Sequence, residues 1–288
     1  MHVLIDADIV LHRVGYTTEN DEEWIAKART NEMLDGILTD TDAKNFELFL
    51  SDTREANFRT ALYPDYKANR LGIPRPRHYD YIKTHLIQKW GARIAHEMEA
   101  DDALGIGLTV DPDNRVIASI DKDLLQVAGN HYNFVKKKFT TVSSWQGLQF
   151  FYSQILIGDV VDNIKGCSGI GPVKASREID KICEEAGEEI LFEQVYETYR
   201  RQERTWTPSQ ICSHIRLTGQ LLKIRTIEGE KLWDFQSFNL MRELDALFTQ
   251  PKQEEHIRST EHTTPETENG SPQLGTPRVN TSQDVLAD

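Results

Sequence analysis

The sequence predicts an α/β fold: a mostly parallel central sheet flanked by helices, with a helical region after it. Three observations carry this expectation. Short continuous apolar runs, the kind buried in parallel sheets, alternate with helical periodicity through the first half of the chain. Four of these runs end on or near acidic side chains, at the strand ends where open α/β sheets bind ligands. From Ser144 onward the pattern turns mainly helical.

Taken in order, Val3-Leu4-Ile5 reads as a buried strand ending on Asp6. Phe46 to Leu50 ends near Asp52, Arg93-Ile94-Ala95 runs toward Glu97 and Glu99, and Val116 to Ile120 ends on Asp121. Helices are expected over Glu22–Leu38, Tyr79–Trp90 and Ala100–Leu108, the last placing Leu104 and Leu108 on one face. Strands alternating with helices give a parallel sheet. Any single acid at a strand end is most simply a helix cap; four in the same place ask for a shared cause.

Residues 62–78 interrupt this pattern with Pro, Tyr and basic side chains, including Tyr66, Lys67 and Arg70. Later helices are expected at 144–157, about 172–185, 188–203 and 207–225, the first two joined by Gly166-Cys-Ser-Gly-Ile-Gly-Pro172. After Phe248 the chain has no aromatic residue and is rich in Thr, Pro, Glu and Ser. Such a tail cannot bury enough apolar surface to offset ordering entropy, so disorder is expected over 249–288. The division expected is an α/β core over 1–143, a helical region over 144–248 and the tail.

The chain has 288 residues with 39% hydrophobic and 27% charged composition. No apolar run approaches the roughly 18 residues of a membrane span, so no membrane association is expected. Cys167, Cys183 and Cys212 are widely spaced and include no Cys-x-x-Cys pair, which argues against a disulfide framework or a zinc site and for a reducing cytoplasm. Net charge is -13. Residues 1 to 249 hold 39 acidic and 30 basic side chains, and nine of those acids form the set below, so the acidity is concentrated rather than diffuse.

That set is Asp6, Asp52, Glu99, Asp101, Asp102, Asp121, Asp123, Asp159 and Asp162, with Asp8 adjacent but left outside it. Like charges converging on one cleft repel unless cations neutralise them, which predicts metal. All-oxygen donors without Cys or His favour magnesium or manganese. Two such ions about 4 Å apart can activate water and stabilise the leaving oxygen of a phosphodiester. Lys67 and Arg70, three apart, can lie on one helical face above the acids and draw in a phosphate, with Tyr66 available to stack on a base. The glycine hairpin can present backbone amides to a DNA phosphate.

Asp6, Asp52, Glu99-Ala-Asp-Asp102, Asp121-Lys-Asp123, Gly158-Asp-x-x-Asp-Asn-Ile164, Gly-Ile-Gly-Pro172 and Tyr-Pro-x-Tyr-Lys-Ala-Asn-Arg70 together resemble the structure-specific 5′-nuclease superfamily, in its order and spacing over roughly residues 1 to 180. The Asp-x-Asp8 variant and Gly219-Gln-Leu-Leu-Lys-Ile-Arg225 resemble the stand-alone 5′-3′ exonucleases of short-tailed lytic phages. The resemblance implies a PIN-like core with a helical arch at about 62–78 carrying Lys67 and Arg70 as catalytic residues. It implies a helix-hairpin-helix element at about 158–185. Two Mg2+ or Mn2+ ions are implied, one held by Asp6, Asp52, Glu99 and Asp101 and the other by Asp123, Asp159 and Asp162, with Asp102 and Asp121 near both. DNA contacts fall to Tyr66, Lys165, Gly169, Gly171 and Lys174, and a potassium ion is implied at the hairpin. Val173 stands directly after the hairpin Pro, where the family often has Lys, and Lys174 follows it.

The activity expected is 5′-3′ exonucleolytic hydrolysis of duplex DNA, with flap and RNA-primer removal, by a monomer acting on 5′ ends, nicks, flaps and RNA-DNA hybrids. Two other readings stay open: a PIN-like single-strand ribonuclease and a non-catalytic DNA-junction binder. The hairpin and the Asp159/Asp162 pair speak for duplex binding against the first, and the complete acid set speaks for catalysis against the second.

Overall fold

The computed structural model describes residues 1–235 and Phe238. Its centre is a six-stranded sheet built from β1 (His2–Asp6), β2 (Asn45–Leu50), β3 (Arg93–Ile94), β4 (Arg115–Ala118), β5 (Gly129–Asn133) and β6 (Lys138–Val142), in the order β3-β2-β1-β4-β5-β6. Every pairing is parallel except β5 with β6, which is antiparallel. Val3, Leu4 and Ile5 are fully buried, as a central strand covered on both faces requires. One face packs against α1 (Ala7–Thr17), α2 (Glu23–Asp40) and α4 (Tyr79–Trp90) around Val10, Leu34 and Ile82; the other meets α5 (Ala100–Val110) through Leu104 and Leu108.

The expected strands and core helices form within one to two residues of their predicted limits. Sequence reasoning missed α1, which starts immediately after β1 because Asp6 caps it, its carboxylate accepting the Ile9 amide at 3.1 Å. It also missed the β5–β6 hairpin, whose strands carry mixed polar residues such as Asn130 and Thr141 and lack a clean alternation.

The segment 62–78 departs from a helical arch. It holds only the end of the short α3 (Phe58–Leu62) and a single 3-10 turn over Ala68–Arg70, and Lys67 adopts a left-handed conformation at φ 53°. Pro64, Pro74 and Pro76 supply no amide for a longer helix.

The helical region comprises α6 (Ser144–Ile157), α7 (Pro172–Ile179), α8 (Glu188–Gln202) and α9 (Pro208–Leu222) around a core that includes Phe151, Phe192 and Tyr199. Between α6 and α7 a two-stranded ladder, β7 (Gly158–Asp159) with β8 (Ile164–Lys165), leads into the glycine loop. A Cβ at Gly158 would meet the Gly166 amide nitrogen at 2.3 Å, so these two glycines permit the backbones to touch. Helix α7 stops at Ile179, short of the expected 185, where the Ile182 carbonyl accepts from the side chains of Trp145 and Gln149. Helix α9 stops at Leu222, short of the expected 225, where Lys223 turns extended, and Ile224 packs with Leu104 and Leu108 of the α/β core. The tail expected to be disordered lies outside the described residues.

Candidate metal centre and active site

The four strand ends deliver their acids to one edge of the sheet. Asp6, at the end of β1, is buried; its second carboxylate oxygen accepts the Ser119 hydroxyl at 2.7 Å, and that hydroxyl accepts the Asp121 amide at 3.0 Å. Asp121 in turn accepts the Asp123 amide at 2.8 Å. Burial, Asp8 and Asp121 push Asp6 up to about 7. Asp101 is raised well above the usual carboxylate range by burial and by Asp6, Asp121 and Glu99. Asp123 is pushed up to about 6 by burial, Asp121 and Asp159. Three carboxylates displaced in the same direction mark a site built for positive charge.

Asp52, beyond β2, lies in a different setting. Backbone amides of Glu97 and Thr53 donate to it at 2.9 and 2.7 Å and hold it below its ordinary value. Asp8 accepts the Ser51 amide at 2.9 Å, so it fastens α1 to the end of β2 beside the acids. Asp159 accepts the amides of Val161 and Asp162 at 2.7 and 3.3 Å, closing the turn after α6.

Lys67 and Arg70 reach these acids. The Lys67 ammonium donates to Glu99 and lies 3.5 Å from Asp162, and the Arg70 guanidinium donates to Asp162. A 3-10 turn brings residues three apart onto one side, so the predicted juxtaposition survives without a helix. Burial alone would raise Glu99 and lower Lys67, but their mutual attraction outweighs it, holding the carboxyl low and the ammonium charged. Burial raises Asp162 in spite of both cations.

Two assignments change. Tyr66 is 2% exposed, and its hydroxyl donates to Glu99 at 2.8 Å and Asp162 at 3.1 Å, so its ring is not placed to stack on a base; it braces the two acids. Asp102 is fully buried in a bidentate pair with Arg59 at 2.5 and 2.9 Å. Its oxygens also accept the amides of Glu99 at 3.2 Å and Arg225 at 3.0 Å, which leaves an anchor rather than an open ligand. Arg59, which sequence reasoning did not single out, is itself 3% exposed and 3.8 Å from Glu99. Removing one partner of such a pair costs about 3–5 kcal/mol.

In the hairpin, Gly169 turns at φ 71°, a conformation that favours glycine, while Gly171 caps α7 with open space where a side chain would stand. The Lys174 ammonium donates to the Gly169 carbonyl at 2.8 Å, and the Ser168 amide to Glu203 at 2.9 Å. Lys165 lies over the Trp206 ring at 6.0 Å, and its carbonyl meets His214 at 3.0 Å.

Among the described residues no three His, Cys, Asp or Glu side chains are gathered closely enough to grip an ion as they stand. Arg59, Lys67 and Arg70 carry the neutralising charge instead. The donors nevertheless fit a hard divalent cation by chemistry: they are all oxygen, and Asp6, Asp101 and Asp121 act on one another through space in a cleft that raises two of them.

Comparison with known proteins agrees with this geometry. The model of the 5′-3′ exonuclease N-terminal resolvase-like domain matches residues 1–150. A flap endonuclease Xni of Shewanella baltica (strain OS155) is 29% identical over 139 residues, 43% of this chain and 53% of that protein. A 5′-3′ exonuclease of Buchnera aphidicola is 24% identical over 190 residues, 59% of this chain and 66% of that protein. This chain therefore spans about half to two thirds of the length of these curated relatives. Among solved structures, the T5 D15 protein co-crystallised with metal ions superposes with a TM-score of 0.51 at 16% identity, covering 77% of this chain and 94% of that one, which establishes likeness of fold. The family domain accounts for half of the sequence and for every strand of the central sheet, and the chain belongs to the 5′-3′ exonuclease family.

Proposed function

We propose that the protein is a divalent-metal-dependent 5′-3′ exonuclease that hydrolyses phosphodiester bonds of duplex DNA and removes flaps and RNA primers, in keeping with replication of a phage genome. One observation carries the reading: Asp6, Asp121 and Glu99 act through space on buried Asp101, and Lys67 bonds Glu99 beside them. Magnesium or manganese ions are proposed at Asp6, Asp52, Glu99 and Asp101, and at Asp123, Asp159 and Asp162, with Asp121 between them. Bound there, they would neutralise the cleft, activate water and polarise the scissile phosphate.

The chain's own residues prepare that chemistry. Ser119 orients Asp6 and Asp121 through one hydroxyl, and Tyr66 holds Glu99 and Asp162 at a fixed spacing. Lys67 and Arg70, paired with these acids here, are proposed to turn to the phosphate and meet developing negative charge. Lys165, Gly169, Gly171 and Lys174 are proposed to grip the duplex backbone. No helix among the described residues is long and apolar enough to cross a membrane; a monomer in the cytoplasm is proposed.

The test is incubation of purified protein with internally labelled duplex, 5′-flap and single-stranded RNA, in magnesium and in EDTA. Release of short products from DNA 5′ ends in magnesium alone is expected. Cleavage confined to RNA would select the ribonuclease reading, and tight junction binding without cleavage would select the binder.

A further inference from the structure

The last turn of α9 and the residues that follow it bond repeatedly to the acid-bearing elements. The Leu221 and Lys223 carbonyls accept from Arg59 at 2.8 and 2.9 Å, and the Arg225 amide donates to Asp102 at 3.0 Å. A second path starts at the same segment. Gln126 donates to the Leu222 carbonyl at 2.8 Å and accepts the Ile224 amide at 3.2 Å. The Ile224 amide fixes which end of the Gln126 side chain is oxygen, so its NH2 group must also serve Gln154, 2.6 Å away. The oxygen of Gln154 is thereby committed to Gln126, and its NH2 group donates to Asp123 at 2.8 Å.

Both glutamines are buried, at 6% and 8% exposure. Sterics support the same tethering. A Cβ at Gly105 of α5 would lie 2.4 Å from the Arg225 carbonyl, and one at Gly147 of α6 would lie 2.3 Å from the Gln126 carbonyl. Both helices approach this network as closely as backbone allows.

We propose that Leu221–Arg225 is a positioning strap for the reaction centre. Its backbone aligns the Glu99–Asp102 helix start through Arg59 and aligns Asp123 through the relay Gln126–Gln154, so that Gln154 is a positioning residue for the second acid group. A buried amide aimed at one carboxylate oxygen fixes that carboxylate's rotation, and outer partners of this kind typically tune metal affinity by about 10- to 100-fold. The proposal rests on the reading that Asp123 helps to hold a divalent ion.

The experiment is a titration of the metal-free full chain with Mn2+, followed by electron paramagnetic resonance, for the wild type, Gln126→Met, Gln154→Met and the double variant. Two binding steps are expected in the wild type. Each single variant should weaken one step by about 10- to 100-fold and leave the other within about threefold. The unchanged step then also reports an intact fold, which a general structural defect would not spare. Because the relay acts in series, the double variant should be no weaker than Gln154→Met alone. If Met prevents folding, Gln154→Asn, which keeps the amide but draws it back from Asp123, carries the same expectation. A wild type with two steps and variants that match it would overturn the strap, as would a loss at Gln154 without one at Gln126, or additive losses in the double variant. A wild type that binds no Mn2+ would overturn the metal reading itself.

Discussion

Asp6 shows how one carboxyl couples stability to the chemistry of the cleft. Its folded value of about 7 lies above the ordinary 3.8 because burial and the neighbouring acids favour the protonated form. A raised carboxyl contributes stability that is complete below about pH 4 and is lost as pH rises toward 7. In EDTA, Asp6→Asn should therefore gain on the wild type as pH rises across this window. The Asn side chain still accepts from Ile9, while the Ser119 hydroxyl, which donates to Asp6, must turn to accept; the pH slope rather than the absolute stability therefore reports the charge. Magnesium should remove the effect by compensating the ionised carboxyl; melting temperatures of both proteins at pH 4 to 8, with and without the ion, measure it. An equal pH slope in the two metal-free proteins would refute the assignment. The cations above the cleft make a separate prediction. If Lys67 and Arg70 meet developing charge as proposed, Lys67→Ala and Arg70→Ala should lower the single-turnover cleavage rate by about 10²- to 10³-fold while the dissociation constant for duplex moves only a few-fold. Equal losses in rate and affinity would make them simple anchors.

Among the elements, the hairpin separates folding from binding. Gly166 lies where an added Cβ would meet the Ile157 carbonyl carbon at 2.3 Å, whereas Gly171 faces open space at an ordinary φ of -102°. Gly166→Ala should thus destabilise the protein by a few kcal/mol, as a backbone clash does, while Gly171→Val keeps its melting temperature and weakens duplex binding. Because the Lys174 ammonium already meets the Gly169 carbonyl, duplex affinity should be the same in potassium and caesium salts at one ionic strength, and Lys174→Met should make it depend on the cation; fluorescence anisotropy in both salts decides this. Strand β1 was legible because Val3-Leu4-Ile5 is an unbroken apolar run ending on Asp6, β2 to β4 because short apolar stretches lead toward Asp52, Glu99 and Asp121, and α6 because Ser143 and Gln146 form a capping box. Helix α1 was hidden because Asp6 serves at once as strand end, cap and site residue. The arch was misread because a three-residue spacing suits a 3-10 turn as well as an α-helix, and Lys67 takes the positive φ between them. The strap's partners left no sequence signal at all: Arg59 has the look of a surface cation, and Gln126 and Gln154 are neutral amides whose meaning comes only from what the fold places 2.6 to 2.8 Å away.

Over the whole molecule, aromatic residues and charge are unevenly distributed along the sequence. The helical core is completed by Phe235, fully buried against Phe192 with ring centroids 4.2 Å apart, and by Trp233 and Phe238 packed around it. Beyond Phe248 the sequence offers no aromatic residue, and residues 250 to 288 hold seven acidic against three basic side chains. A net charge of that sign adds nothing to a DNA-binding surface and repels phosphate at low salt. A chain ending at Gln250 keeps every core aromatic and the Leu221–Arg225 strap. It should therefore match the full chain in melting temperature within about 1 °C and in cleavage rate at saturating duplex within about twofold, since a segment of that composition has little apolar surface to bury. Its affinity for duplex should rise modestly at low salt and converge with that of the full chain at high salt, as screening removes the tail's repulsion. Differential scanning calorimetry, single-turnover cleavage and binding at two salt concentrations test these three expectations. A drop in melting temperature would show that the last residues complete the core after all, and a drop in rate with unchanged melting would give them a part in handling DNA.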